Sequence, residues 1–445
     1  MKKSFYLLFF IANSILIQAQ LQQSLSYYAT NSDSLKIGAA VGGNFYSNTV
    51  YDTGGTFDTT IKKNFNILVP ENEMKFDAIE PQKGVFNFIN PDKLVAYAQK
   101  YGMQVRGHNL CWHSQLPVWV NSGLTNGIAN GTFTRESLMG VLKNHITSVV
   151  GRYKGRIQQW DVLNEPFNDG TGTLRASVWQ QVIGNDYIDS VFVWTHRTDP
   201  IAKLYLNEYG DEYVGDTKSN AVYNYVKAMK ERGIPVNGVG LQCHFTANSI
   251  NFSSLDQNIK RYAAIGLEAI ITELDIKIKK TDFEADPVKW LGYQAEDYRR
   301  MILLSLNNSN CKIFLTWGFT DLYSWIPSFT NNVYDYALIF DSDLIAKPAY
   351  TSILKELAST GGGTSVKEIS NVENLKFSIT NDIAYVETTD LILNCELVDM
   401  QGKVQKIQLT GTNTIEFNLI TRQSKIYILK IQLINGQLIT HKFIH

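Results

Sequence analysis

The feature that most constrains the fold is a repeated alternation of short apolar runs with longer helical patterns through the first three quarters of the chain. The eight predicted strands are Gly38–Gly42, Asn66–Pro70, Gln104–Gly107, Ile157–Leu163, Lys203–Leu206, Gly238–Gln242, Ala269–Thr272 and Ile313–Thr316. Helical periodicity lies between them, for example over Pro91–Tyr101, Leu138–Tyr153 and Asn220–Arg232. Strands that alternate with helices form parallel sheets, so eight repeats predict an α/β fold, a closed (β/α)8 TIM barrel.

Periodicity alone does not separate a closed barrel from an open, doubly wound sheet. The nucleotide-binding form of the open sheet carries a glycine-rich phosphate loop directly after its first strand. No such loop follows Gly38–Gly42. Its absence from the sequence weakens the nucleotide-binding version and favours the barrel.

Composition excludes several classes of protein. Hydrophobic residues make up 44% of the chain and charged residues 19%, which is too apolar for a mainly disordered protein. The 41 basic and 42 acidic residues leave no electrostatic footprint for nucleic acid. Four cysteines without a CxxC pair, and seven histidines without HExxH spacing, indicate neither a disulfide framework nor a metal site. We therefore expect a globular protein without a metal or another cofactor.

The first nineteen residues have the pattern of a signal peptide. Lys2 and Lys3 precede an apolar run from Phe5 to Ile17, and a small residue follows at the expected cleavage point. The run is shorter than the ~20 residues that a membrane-spanning helix needs. We predict a signal peptide at residues 1–19, no transmembrane segment, and a secreted or cell-surface protein.

Composition changes near the glycine-rich stretch that starts at Gly361. All ten prolines and all eight tryptophans precede it, and residues 358–366 have the composition of a flexible linker. Beyond the linker, apolar and polar residues alternate as in strands, for example over Ile383–Glu387. We therefore predict that residues 20–357 form the barrel domain and residues 367–445 a small all-β sandwich.

Polar and aromatic side chains follow the predicted strands where each strand ends. In a (β/α)8 barrel these ends meet at one face, and the chemistry collects there. Amides and carboxylates hydrogen-bond hydroxyl groups, while aromatic rings cover the apolar faces of sugars. These residues predict a polyhydroxylated ligand, and they are Glu71, Asn72, His108, Trp112, Asn164, Glu165, Tyr209, Gln242, His244, Glu273, Asp275 and Trp317.

Glu165 and Glu273 follow the fourth strand and the seventh strand, from which they can face each other across the barrel mouth. Glycosidic cleavage needs such a pair, because one carboxyl group protonates the leaving oxygen while the other attacks or activates water at the anomeric carbon. On periodicity alone, both residues are equally well explained as ordinary surface carboxylates.

Six motifs, in the same order along the chain, resemble those of glycoside hydrolase family 10, the endo-β-1,4-xylanases. The motifs are Glu71–Lys75, Gly107–Gln115, Trp160–Glu165, Gly240–His244, Ile271–Asp275 and Thr316–Asp321. The resemblance covers residues 35–357 and implies a retaining endo-β-1,4-xylanase that acts on xylan and xylo-oligosaccharides. We expect this enzyme to be a monomer.

The resemblance also implies catalytic roles. Glu165 corresponds to the acid/base and Glu273 to the nucleophile, with their carboxyl groups ~5–5.5 Å apart. The mechanism needs Glu165 protonated and Glu273 ionised in the free enzyme. His244 is expected to hydrogen-bond Glu273, Asp275 to orient His244, and Asn164 to bind the 2-hydroxyl of the sugar. A satisfied core histidine is the alternative explanation of His244.

The remaining site residues resemble the sugar subsites of the family. Those on the glycone side are Glu71, Asn72, Lys75, His108, Trp112 and Gln115. Trp317 and Trp325 are similar to the aromatic lid over the same sugars, and Tyr209 is similar to an aglycone-side stacking residue. Gln242 completes the set of substrate-binding residues.

The end of the chain resembles the C-terminal sorting domain of the type IX secretion system. The residues that carry this likeness are Lys425–Ile431, Asn435–Gln437 and His441–His445. The likeness implies that the secretion machinery is a partner through this domain. A carbohydrate-binding module is the alternative, but the tail has no tryptophan to stack on sugar.

Two other functions stay open. One is another retaining barrel glycosidase, such as a cellulase or a β-glucanase, whose glycone pocket accepts the C6 hydroxymethyl group of glucose. We hypothesise that the lid of Trp317 and Trp325, with Lys75 and Gln115, excludes this group. The other is a non-catalytic xylan-binding surface protein, against which the presence of both predicted catalytic glutamates argues.

Overall fold

The computed structural model describes residues 24–32 and 35–360 and, in the rest of the chain, residues 375–380, 383–388, 392–399, 404–407, 413–418, 426–433 and 438–444. The predicted signal peptide and most of the predicted linker lie outside the described residues. The chain divides into two compact units, Met1–Gly363 and Thr364–His445.

Eight parallel strands of the first unit close into a barrel. They are β1 (Lys36–Val41), β2 (Ile67–Pro70), β3 (Gln104–His108), β4 (Gln159–Asn164), β5 (Lys203–Glu208), β6 (Gly238–Leu241), β7 (Glu268–Lys279) and β8 (Ile313–Thr316). Each strand pairs with the next, and β8 pairs with β1, where Lys36 lies opposite Ile313. The predicted barrel is confirmed, and the open sheet is excluded by this closure.

Helices precede the first strand, connect the strands and follow the last strand along the chain. They are Leu25–Asn31, Thr56–Asn64, Phe76–Ile79, Ile89–Lys100, Val118–Asn121, Arg135–Arg152, Val178–Ile183, Tyr187–Thr198, Thr217–Glu231, Phe252–Ala264, Lys280–Ala285, Pro287–Asn307, Ile326–Phe329 and Pro348–Thr360. Local sequence sets their ends: the longest connecting helix after β3 begins after Thr134, whose hydroxyl accepts a hydrogen bond from the Ser137 N–H. The last helix extends three residues into the segment predicted as linker.

The barrel strands are buried along nearly their whole length, as expected when helices cover one face and side chains fill the other. Trp160 on β4 is fully buried. It packs against Gly107 on β3, where an added Cβ would lie 2.1 Å from the Trp160 ring. Only glycine leaves room for the indole at this position.

β7 is longer than the four residues predicted for it. Beyond the barrel it pairs in parallel with His244–Thr246 and antiparallel with Tyr334–Asp335. Glu273 and Asp275 therefore lie within a paired strand rather than in a loop after it. The strand β7 therefore carries both carboxylates, with Glu273 at an irregularity in its pairing with β8.

The described strands of the second unit form two antiparallel sheets. One contains Leu375–Thr380, Ile383–Thr388 and Thr414–Asn418, and the other contains Ile392–Asp399, Val404–Lys406, Ile426–Leu433 and Leu438–Ile444. A buried apolar cluster draws residues from both sheets, among them Ala384 and Leu429. No helix in the described parts of the chain is long and apolar enough to cross a membrane. The four cysteines are unpaired and buried.

Candidate active site

A cleft of about 850 Å³ lies at the carboxyl ends of the barrel strands. Fourteen of the fifteen predicted site residues line it: Glu71, Asn72, Lys75, His108, Trp112, Gln115, Asn164, Glu165, Tyr209, Gln242, His244, Glu273, Trp317 and Trp325. The fifteenth, Asp275, is fully buried and contacts His244. Five lining residues were not predicted: Gly210, Glu212, Tyr213, Phe245 and Phe329. Among the described residues, no group of three His, Cys, Asp or Glu side chains is placed to hold a metal ion.

Glu165 follows β4 directly and is held by neutral donors. Its Oε2 accepts a hydrogen bond from Trp112 Nε1 at 2.9 Å, and its Oε1 accepts one from Gln242 Nε2 at 3.0 Å. Its backbone is left-handed, with a φ of 51°, which a glutamate adopts only at a cost. The two donors therefore fix the direction of this carboxyl group, and neither donor is charged.

Glu273 has the opposite environment. Its side chain is almost fully buried, with Oε1 accepting a hydrogen bond from Asn207 Nδ2 at 2.7 Å and Oε2 lying 3.4 Å from His244 Nε2. Burial disfavours the charge, but the contact with His244 and the charge of His108 outweigh it, so the pKa of Glu273 is lowered from its ordinary value. This carboxylate is therefore ionised at neutral pH.

His244 is positioned by Asp275. The distance from His244 Nδ1 to Asp275 Oδ2 is 2.8 Å. Burial disfavours the charge of the imidazole, but the Asp275 carboxylate outweighs it and raises the pKa of His244 to about 10. A protonated imidazole donates from both nitrogens, so His244 bridges Asp275 and Glu273. The predicted contacts of His244 are thus present.

Asn207, which was not predicted as a site residue, connects two residues that were. Its Nδ2 donates to Asn164 Oδ1 at 2.8 Å and to Glu273 Oε1, and its Oδ1 accepts from Thr272 Oγ1 at 2.7 Å. An added Cβ at Gly240 would lie 2.2 Å from Asn207 Oδ1. Hydrogen bonds and close packing therefore fix both ends of this amide.

His108 belongs to a second aspartate–histidine pair. Its Nδ1 lies 3.0 Å from Asp161 Oδ2, and Arg106 also donates hydrogen bonds to this carboxylate. Burial disfavours the charge of Asp161, but Arg106 outweighs it, and the pKa of Asp161 is lowered. The Trp317 ring lies edge-on to the His108 ring, with centroids 5.2 Å apart. Arg106 and Asp161 were not predicted, because both lie inside strands.

A buried lysine organises the polar end of the cleft. Lys75 Nζ donates to Gln115 Oε1 at 2.6 Å and to Asn72 Oδ1 at 3.0 Å, and it lies 4.9 Å from the centre of the Trp112 ring. Burial lowers the pKa of Lys75, although the charges of Glu273 and its neighbours oppose the shift. Amide, ammonium and indole groups in contact with one another suit the hydroxyl groups and apolar face of a sugar.

Tyr209 follows β5 elsewhere along the cleft. Its hydroxyl donates to Asp169 Oδ2 at 2.7 Å, and Lys218 Nζ lies 3.7 Å from the ring centre. These contacts fix the plane of the ring and cover one of its faces. A fixed aromatic ring in a cleft is suited to stacking on a second sugar.

Comparisons with known proteins relate most of the first unit to one family. The family model described as glycosyl hydrolase family 10 matches residues 24–356. Endo-1,4-beta-xylanase B of Thermotoga neapolitana is 38% identical over 320 residues, which cover 72% of this chain and 88% of that protein. Endo-1,4-beta-xylanase C of Phanerodontia chrysosporium is 37% identical over 319 residues, covering 72% and 75%. The crystal structure of xylanase 10B from Thermotoga petrophila in complex with xylobiose matches with a TM-score of 0.69 and 40% identity, covering 76% of this chain and 97% of that one.

Proposed function

The chain belongs to glycosyl hydrolase family 10 and is a retaining endo-β-1,4-xylanase, and we propose that Glu165 and Glu273 hydrolyse the internal xylosidic bonds of xylan. The observation that carries this assignment is the contrast between the two carboxyl groups. Glu273 is held as an anion by His244, whereas the carboxyl group of Glu165 accepts hydrogen bonds from the neutral side chains of Trp112 and Gln242. A retaining glycosidase needs one ionised carboxylate and one carboxylic acid.

The first step forms a covalent intermediate. The Glu273 carboxylate attacks the anomeric carbon, the bond from this carbon to the leaving oxygen breaks, and Glu165 donates its proton to that oxygen. In the second step Glu165 accepts a proton from water, whose oxygen attacks the same carbon and releases Glu273 as a carboxylate. Two inversions at one carbon retain the configuration.

Asn164 is proposed to bind the 2-hydroxyl of the reacting sugar. Because Asn207 Nδ2 donates to Asn164 Oδ1, the Asn164 amide has one orientation, in which its NH₂ group is the available donor. Hydrogen bonds to the 2-hydroxyl strengthen in the transition state of this reaction. Asn207 therefore positions both Asn164 and Glu273.

The other lining residues are proposed to form the subsites. We propose that the glycone sugars are bound by Glu71, Asn72, Lys75, His108, Trp112 and Gln115, and that Tyr209 stacks on an aglycone-side sugar. Gln242, which also lines the cleft, is proposed to bind substrate. Trp317 and Trp325 cover the glycone sugars. We infer that, with Lys75 and Gln115, which hydrogen-bond each other, they exclude the hydroxymethyl group that distinguishes glucose from xylose.

Product analysis tests the function directly. We expect short xylo-oligosaccharides from insoluble xylan and no soluble gluco-oligosaccharides from cellulose, with the β-anomer appearing first in proton NMR spectra. An initial α-anomer would contradict the retaining mechanism. Release of gluco-oligosaccharides from cellulose equal to the release of xylo-oligosaccharides from xylan would make the protein a broader glucanase. Binding to xylan without products would make it a non-catalytic binding protein.

Asn207→Asp is expected to reduce kcat/KM by about 10²-fold near neutral pH, because it removes a donor to Glu273 and places a second carboxylate against it. Two carboxylates that share a site raise the pKa of one of them. Activity needs ionised Glu273 and is lost as the pH falls through the pKa that Glu273 has in the folded protein. Because the substitution raises this pKa, activity should be lost at a higher pH. Asn207→Ala is the matched control, because it removes the donor without adding charge. The measurement is the pH dependence of kcat/KM. Equal acid limbs in the pH profiles of the two variants would contradict the charge argument.

We also propose the organisation of the rest of the chain. Residues 1–19 are a signal peptide, residues 20–357 the catalytic domain, residues 358–366 a linker and residues 367–445 a β-sandwich that the type IX secretion machinery recognises. The buried cluster shared by the two sheets of the second unit supports a sandwich. The mature enzyme is then a secreted or cell-surface monomer.

A further inference from the structure

Two donors meet on one oxygen of Asp275. Asp275 Oδ2 accepts hydrogen bonds from His244 Nδ1 and from Trp325 Nε1, both at 2.8 Å. The other oxygen, Oδ1, is buried and has no hydrogen-bond partner among the described residues. A fully buried carboxylate depends on the few donors that it has. The indole N–H is therefore half of the polar support of Asp275.

Trp325 is at the same time a wall of the cleft. Its ring lies edge-on to the His244 ring, with centroids 5.1 Å apart and planes at 64°. Phe329 packs against it with centroids 4.5 Å apart. One side chain thus contacts the substrate space, the imidazole that faces Glu273, and the carboxylate that orients this imidazole.

We propose that Trp325 is a positioning residue for the nucleophile: its indole N–H and ring hold Asp275 and His244 in the arrangement that directs His244 Nε2 to Glu273. This inference rests on the proposed role of Glu273. It adds that one side chain forms the aromatic wall over the sugar and also supports the carboxylate that attacks the anomeric carbon.

The direction of the expected effect follows from electrostatics. The N–H group presents its positive end to Asp275, so its removal makes the potential around Asp275, His244 and Glu273 more negative. A more negative potential raises the proton affinity of His244 and Glu273, and Glu273 then takes up its proton at a higher pH. The other titratable groups that face this network are the same in the variant, and they are Glu71, Lys75, His108, Asp161, Glu212, Cys243 and Tyr298.

Trp317 supplies a matched control. It also lines the cleft and lies edge-on to a histidine, at 5.2 Å from His108. The aspartate next to that histidine, Asp161, is held by Arg106 and His108 instead. Trp317→Phe therefore removes the same atoms from the cleft wall while leaving the support of its aspartate intact.

The test uses the full-length protein and a 2-deoxy-2-fluoro-xylobiosyl fluoride, which traps the nucleophile as a stable ester. The pH dependence of the inactivation rate reports the ionisation of the attacking carboxylate. We expect the acid midpoint of Trp325→Phe to lie about half a unit above that of the wild type, and that of Trp317→Phe to be unchanged. Equal midpoints in all three proteins, or the same shift in both variants, would overturn the inference.

Two measurements keep the test decisive. If Trp325→Phe does not fold, 3-benzothienylalanine can be placed at position 325, because it preserves the ring shape and replaces the N–H by sulfur. We expect it to give the same upward shift of the acid midpoint. An unchanged midpoint again overturns the inference. Peptide mass spectrometry of the inactivated wild type identifies the labelled residue. A label elsewhere than on Glu273 contradicts the proposed function, whereas a label on Glu273 with unchanged midpoints contradicts only the role of Trp325.

Discussion

Glu273→Gln should abolish the hydrolysis of xylan, with kcat reduced by at least about 10⁴-fold, and should leave the binding of xylo-oligosaccharides nearly unchanged. An amide has almost the same shape as the carboxylate, and its oxygen still accepts the hydrogen bond from Asn207 Nδ2. It has no charge and cannot form the ester intermediate. Turnover of an aryl xylobioside measures the first effect, and calorimetric titration with xylotetraose measures the second.

Glu71→Gln is a suitable comparison for this variant, because Glu71 is another cleft carboxyl group and is proposed only to bind sugar. We expect it to weaken substrate binding while retaining most of kcat. A Glu273→Gln enzyme that still turns over at the wild-type rate would exclude Glu273 as the nucleophile. An equal loss of kcat in both variants would show that cleft charge, rather than nucleophilic attack, limits the reaction.

Glu165→Ala should lower kcat on xylan by about 10²–10⁴-fold, because the leaving sugar oxygen then departs without a proton. Substrates with activated aryl leaving groups need little protonation, so their glycosylation step should be almost as fast as in the wild type. Their intermediate should then accumulate, because Glu165 also activates the attacking water. Azide needs no such base and should restore turnover with formation of a β-xylosyl azide.

Glu165→Gln removes the acid without opening the space that Glu165→Ala leaves. It fills the volume near Trp112 and Gln242, so we expect the same loss on xylan without rescue by azide. Absence of rescue in Glu165→Ala, or an α-xylosyl azide as its product, would contradict the acid/base assignment.

Much of the barrel could be predicted from sequence because its strands are buried on both faces and appear as short continuous apolar runs. β8 has the predicted bounds, Ile313–Thr316. β7 does not, because its extension is stabilised by pairing with His244–Thr246 and Tyr334–Asp335. Partners so distant in sequence leave no local signal in the strand itself.

Part of the candidate site could likewise be predicted from the sequence, and part could not. Strand-end residues such as Glu165 and His244 could be predicted to meet because the carboxyl ends of parallel strands share one face. Asn207 also stands at a strand end, but nothing in the sequence states that its amide bonds Asn164 and Glu273. Such hydrogen bonds depend on side-chain direction, which a strand pattern does not contain. The roles of the two glutamates stay predictions until the variants are measured.

Closure of the barrel also has a consequence for how the protein is made. β1 pairs with β8, where Thr316 Oγ1 donates to the carbonyl of Gly38, 278 residues away in the chain. During synthesis the first strand therefore keeps one hydrogen-bonding edge unsatisfied until almost the whole first unit has left the ribosome. Contacts of such sequence separation slow folding, and an open strand edge pairs readily with other chains. We therefore expect a long interval during synthesis in which the exposed edge of β1 can pair with other chains.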